Sequence, residues 1–233
     1  MSFIDVLAVL GIIALPMLLI FVQPDFGTML VFVILTAALL LVGGARVRHL
    51  IFLSFVGFVV VVVALQANVL KPYQVDRLTA FMDSDPDVRS EGYNLTQSKI
   101  AIASGGLRGQ GLQAENTQTA LDFVPEQHTD FIFTAVGEQL GFIGSAALLV
   151  MLAFLMWRAV RIAAMSRDLF GTLIATGIAA MWAFQIFQNI GMTMGIMPIT
   201  GIPLPFISYG GSSTITNFMA VGLLLNIHMR RFI

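Results

Sequence analysis

A chain of 233 residues that is 58% hydrophobic and only 11% charged lacks the surface of a soluble domain, which carries about 25% charged residues. Its net charge of −1 offers no basic face to nucleic acid. With no cysteine in the chain, disulfides, thiolate metal sites and cysteine nucleophiles are excluded.

The apolar residues fall in long blocks, about 6–22, 28–43, 51–70, 131–157, 170–195 and 206–228. They predict an all-α polytopic membrane protein, a single membrane domain over 1–233 with about six transmembrane helices. The first block holds Asp5, no leading Lys or Arg and no small-residue cleavage site, so it reads as a span and not a cleavable signal peptide. Pro16 should kink it. "QPDFG" at 23–27 turns the chain into a second block barely long enough for a hydrocarbon core of about 30 Å. Arg46 and Arg48, then Arg158, Arg161 and Arg167, then Arg230 and Arg231 all fall on one side of such a bundle. The positive-inside rule makes that side cytoplasmic, with both termini inside.

The opposite face receives an extracytoplasmic loop, about 71–130, holding nine of the 13 acidic residues. Loops of this length tend to be functional. Within it, "YNLTQSKIAIASGG" (93–106) predicts a short amphipathic helix closed by glycines. Leu95, Ile100 and Ala103 would face lipid, and Gln97, Lys99 and Ser104 water. "GLRGQG" (106–111) has the glycine spacing of a nucleotide loop, but no strand precedes it, and no nucleotide site is assigned.

"VPEQHTDFIF" (124–133) brings ionisable groups to the mouth of the fourth block. Desolvation there would raise a carboxyl pKa, suiting Asp130 to general base work near neutrality. Capping the helix that follows is the structural alternative. One helical turn would set Glu126 and Asp130 on one side, with His128 between them; as solvated loop residues, Glu126 and His128 need no role. Glu138 lies about two turns deeper, inside the span, where a carboxylate implies a function or a partner. The alternative there is a neutral Glu bonded to Gln185, Gln188 or Asn189. Lys99, Arg77 and Arg108 are the cations best placed to hold an anion beside the acids, unless they simply pair with them. "PITGIPLPFISYGGSS" (198–213) breaks any helix at the outer boundary, which is tolerated where backbone is buried or lines a watery cavity. A helix start around Ser208, Tyr209 and Ser212 would also offer N–H groups to an anion.

Together, "QPDFGT" (23–28), "YQVDRL" (73–78), "QSKIAIASGGLRGQG" (97–111), "VPEQHTDFIF" and "NIGMTMGIMPITGIPLPFISYGGSS" (189–213) resemble the SEDS family of shape, elongation, division and sporulation proteins (RodA, FtsW, SpoVE). "GIPLPFISYGGSS" and "QSKIAIASGG" look more like its rod-shape branch, RodA. The resemblance covers the second part of the family's length, and the family's N-terminal spans have no counterpart in it. It implies a peptidoglycan glycosyltransferase of the bacterial cytoplasmic (inner) membrane, polymerising lipid II during cell elongation and shape maintenance. Lipid II is a disaccharide-peptide on undecaprenyl pyrophosphate. The family's catalytic carboxylate falls on Asp130, with Glu126, His128, Asp122 and Glu138 in support; at Asp122 relatives often carry Glu. Gln23, Asp25, Ser208, Tyr209 and Ser212 join Lys99, Arg77 and Arg108 as substrate-binding candidates. A class B penicillin-binding protein is the implied partner. A divalent cation (Mg or Mn) could assist the leaving group, although no ligand set is readable. A lipid II flippase and a non-catalytic scaffold are the rival readings.

Overall fold

A computed structural model describes residues 3–23, 25–66 and 91–231, apart from 113, 115, 116, 122 and 125. Seven α-helices form among the described residues: α1 (Phe3–Val22), α2 (Phe26–Val42), α3 (Val47–Gln66), α4 (Glu91–Ser104), α5 (Ile132–Ala164), α6 (Leu169–Met194) and α7 (Gly211–Arg230). No strand occurs among them. The all-helical membrane class read from hydropathy is therefore what the chain adopts. By length and composition α1, α5 and α6 can cross a membrane, and α2 and residues 47–57 of α3 are shorter apolar helices. Helix α1 runs on through Pro16.

The described residues divide into two compact units, one from 1–75, 159–181 and 223–233, the other from 76–158 and 182–222. In the first, Val6, Leu40 and Ala45 form a small core with Val9, Leu10, Leu50 and Leu53 packed against it. Asp25 caps α2, accepting the Thr28 amide at 2.9 Å and its hydroxyl at 2.6 Å, as an acid at a helix N-terminus should.

The second unit holds α4, the segment after it, and the adjoining lengths of α5, α6 and α7. The predicted amphipathic helix is present, but of the three residues expected to face lipid Leu95 packs into protein. Leu95 and Ala101 are buried in a core with Val124, Phe131 and Ile199, while Ile100 and Ala103 are exposed. Ser98, fully buried beside them, bonds Thr134 Oγ1 at 2.5 Å and the Thr193 carbonyl at 2.9 Å. A hydroxyl on the buried stripe satisfied twice fixes how α4 docks.

Helix α5 reaches Ala164, beyond the predicted block, and at Gly141 its backbone leaves helical geometry (φ 64°, ψ −164°). The amides of Phe142 and Ile143 turn away from their own helix to the carbonyls of Gly106 and Leu107, at 2.9 and 3.1 Å. In exchange, the carbonyls of Glu138 and Gln139 accept the amides of Gln110 and Gly111, both at 3.0 Å. Two internal helix bonds are replaced by four bonds to the "GLRGQG" loop. That loop, dismissed as a nucleotide motif, is a splint for a broken helix. A helix of 33 residues is about 50 Å long, too long for a core of about 30 Å, whereas 142–164 measures about 35 Å. The break thus separates a membrane-length part from a shorter segment carrying Glu138. Helix α7 starts at Gly211, five residues later than the apolar block, because Pro203 and Pro205 interrupt the backbone and Phe206 takes a left-handed conformation (φ 67°).

Gly141→Ala should unfold the splint. A Cβ there lies 2.8 Å from the Arg108 carbonyl carbon and closer still to the Gly109 nitrogen, at a φ that L-residues resist. The expected loss is about 3 kcal/mol, read as a lowered melting temperature in detergent. Gly222→Ala, where a Cβ meets nothing within 4 Å, should leave it unchanged.

Candidate active site

The acid-rich motif is a compact turn and not the start of a helix. Glu126 sits at φ 54°, and its carbonyl receives the amides of Thr129, Asp130 and Phe131 at 3.1 to 3.2 Å. Its carboxylate accepts the Thr129 hydroxyl at 3.0 Å. Glu126 and Asp130 are therefore joined through a tight backbone turn, where the sequence suggested neighbouring positions on one helical face. Phe131, buried with Val124 and Ile199, pins the end of the turn, and α5 begins one residue later.

A tight turn of this kind aims its next carbonyls outward, and each meets a donor. The His128 carbonyl accepts the Tyr209 amide at 2.8 Å. The Thr129 carbonyl accepts the Ser208 hydroxyl at 2.6 Å, and the Asp130 carbonyl accepts the Asn189 side-chain amide at 2.8 Å. Asn189, fully buried, also donates to the Ile202 carbonyl at 2.8 Å, and its neighbour Gln188 donates to the Pro198 carbonyl at 2.8 Å. Three consecutive carbonyls of the motif are thus clamped to α6 and to the proline-rich segment.

Opposite the Asp130 side chain stands Gly201 (φ 68°). A Cβ there would lie 3.2 Å from Asp130 Oδ2, closer than ordinary packing allows. The glycine lets the segment turn and leaves the half-buried carboxylate its room. Beside the turn, an open groove of about 810 Å³ is lined by His128, Ile132, Phe206, Tyr209, Thr214 and Ile215 among others. Tyr209 is 80% exposed.

Glu138 has a different partner from those expected. It is fully buried, and its carboxylate accepts the amides of Gln118 and Thr119 at 2.7 and 2.9 Å and the hydroxyls of Thr119 and Ser104 at 2.7 and 3.3 Å. Gln188 and Asn189 are engaged elsewhere, and Glu138 organises the 117–119 turn. Ser208 is also reassigned. Its hydroxyl accepts the Leu204 amide at 2.7 Å while donating to Thr129, and its own amide goes to the Leu204 carbonyl. With the Tyr209 amide held by His128, neither residue offers an N–H to an anion.

Lys99 is exposed, and its chain lies across Gly195 (φ 75°), where a Cβ would collide with Lys99 Cε and Nζ. Arg108 is exposed in the splint loop, and Ser212 in the first turn of α7. Gln23 and Asp25 belong to the first unit, and Arg77 and Asp122 lie outside the described residues. No group of three or more His, Asp or Glu side chains that could hold a metal occurs among the described residues. Asn189 and Gly201 had no assigned place at the base in the sequence reading. The signal for Gly201 was a glycine between Pro198 and Pro203, which is a demand for a left-handed turn.

Comparison with known proteins bears on what such a turn does. The FtsW/RodA/SpoVE pattern, described as a cell cycle protein, matches residues 2–232. Stage V sporulation protein E of Bacillus subtilis is 41% identical over 221 residues, covering 94% of this chain and 58% of that protein. Peptidoglycan glycosyltransferase MrdB of Escherichia coli is 39% identical, covering 95% of this chain and 60% of its own length. A chain solved in a peptidoglycan synthase complex, in a study of how polymerization and crosslinking are coordinated, superposes with a TM-score of 0.75 at 33% identity. It covers 97% of this chain and 61% of that one. The chain thus spans about six-tenths of the length of these relatives. The sporulation protein is as similar as MrdB, so overall identity adds nothing to the rod-shape leaning of "GIPLPFISYGGSS" and "QSKIAIASGG".

The clamp can be tested without any activity. Asn189→Ala leaves the Asp130 and Ile202 carbonyls without their donor, at about 1–3 kcal/mol for each buried group. Hydrogen exchange should accelerate at Thr129 to Phe131 and not in α1 or α2; uniform acceleration, or none, would refute the clamp.

Proposed function

Since the chain belongs to the FtsW/RodA/SpoVE family of cell cycle proteins, we propose that it carries the acceptor-activating site of a peptidoglycan glycosyltransferase, with Asp130 as general base. In this reading Asp130 takes the proton from the 4-hydroxyl of the acceptor sugar. The freed oxygen attacks the anomeric carbon of a lipid II donor with inversion, and undecaprenyl pyrophosphate departs with the bonding electron pair. The observation that carries the reading is the clamped turn with Gly201 facing Asp130. A base whose backbone is held on three sides keeps its aim without reorganising at the moment of reaction. The groove along His128 and Tyr209, about 810 Å³, lies within the size range of small-molecule sites.

Elongation and shape maintenance, lipid II as substrate, and a class B penicillin-binding protein as partner belong to the same proposal. The synthase complex containing a similar chain supports the partner. The arginine clusters support an orientation with both termini cytoplasmic and the Asp130 turn outside. Among the candidates for the pyrophosphate, Lys99 and Arg108 are the described cations with exposed side chains in the unit that holds Asp130. A flippase would need its helix breaks to move, whereas the break at Gly141 is bridged by four backbone bonds, which favours a fixed site.

Asp130→Asn should reduce polymer formed from labelled lipid II, in the presence of the partner, by about 10²–10⁴-fold with the melting temperature unchanged. Translocation of lipid II in liposomes, unaffected by Asp130→Asn and without polymer, would favour the carrier instead. Gly201→Ala pushes a methyl against the base and should cost about 10²-fold in rate, again measured as polymer per unit time.

A further inference from the structure

In the first unit, the link between α5 and α6 forms a recess of about 230 Å³ with the end of α7. Its lining includes Ser166, Arg167, Asp168, Phe170, Asn226 and Arg230. Both arginines are exposed, and neither guanidinium has a hydrogen-bond or ion-pair partner among the described residues. The single acid in the lining is turned to another task. Asp168 Oδ1 accepts the Gly171 amide at 3.1 Å and the Ser166 hydroxyl at 3.5 Å, capping the positive end of α6. A third guanidinium, Arg231, folds onto the same link, donating from Nη1 to Met165 Sδ at 2.9 Å. Two unpaired arginines and an amide side chain in one recess make a site for a singly charged oxyanion.

The rim identifies which oxyanion. Leu169 and Phe170, in the first turn of the membrane-length α6, are 62% and 72% exposed, and Leu223, two turns before the end of α7, is 49% exposed. A free phosphate has no use for such a rim, whereas an amphiphile sets its charge in the recess and its chains along it. We infer that this recess binds the headgroup of an anionic phospholipid, through Arg167 and Arg230 on the phosphodiester. The clusters that hold these residues are among those assigned to the cytoplasmic side, where basic recesses between spans meet anionic headgroups. The inference rests on the membrane character of α5 and α6, not on Asp130, so loss of either reading leaves the other standing.

Native mass spectrometry of the detergent-purified full chain, titrated with phosphatidylglycerol or phosphatidylcholine of matched chains, tests it. Each arginine should favour the anionic lipid by about fivefold. Arg167→Gln with Arg230→Gln should bring retention of phosphatidylglycerol down to that of phosphatidylcholine, while Arg167→Lys keeps most of the preference. Equal retention of the two lipids by the unmodified chain, or an unchanged preference in the double variant, would overturn the assignment. Displacement of phosphatidylglycerol by millimolar inorganic phosphate would also overturn it, in favour of a soluble anion.

Discussion

Three adjacent backbone carbonyls, those of His128, Thr129 and Asp130, each meet a donor from elsewhere in the chain: the Tyr209 amide, the Ser208 hydroxyl and the Asn189 amide. Near a membrane, where water is scarce, a carbonyl without a partner is costly, so these bonds hold the turn in a single conformation. The proline-rich segment in turn depends on the turn, because Asn189 reaches the Ile202 carbonyl with the same side chain that holds Asp130. Removing one donor loosens two segments at once.

This mutual satisfaction explains how so much irregular backbone coexists with spans. Prolines at 198, 203 and 205 and the left-handed Phe206 prevent a helix, and the polar groups they free are taken up by Gln188, Asn189 and Ser208. Glu138 does the same for the amides of Gln118 and Thr119. These buried polar side chains bind main chain far more than they bind one another, which is the usual division of labour. They make a scaffold on which one carboxylate, that of Asp130, is left half-buried beside a glycine.

The sequence carried the helices plainly, because hydropathy and length are properties of the residues themselves. It also singled out the Asp130 turn and the interrupted segment after 198. What it could not carry was the pairing. For Glu138 the alternative to a functional role was a bond to the side-chain amides of α6, yet it holds a turn's N–H groups, and every residue has an N–H. Ser208 looked like an anion donor for the same reason: its partners are a carbonyl and an amide with no signature in their side chains. Helix α4 was given a lipid face of Leu95, Ile100 and Ala103, but Leu95 is buried in protein on the same stripe as Ser98, which has two partners distant in the chain. Motif spacing was rightly set aside at "GLRGQG", but what its glycines do, letting two backbones approach, had no signature either.

That last loop has an unusual standing among surface turns, which ordinarily accept added or deleted residues. Residues 106 and 107 receive amides from α5, and 110 and 111 return amides to it, in fixed register. One residue more or less between Leu107 and Gln110 would put the two pairs out of step, leaving at least two main-chain groups of α5 stranded. A stretch that resembles disposable connecting sequence is therefore locked in length, and an insertion there would damage the helix it touches rather than the loop itself.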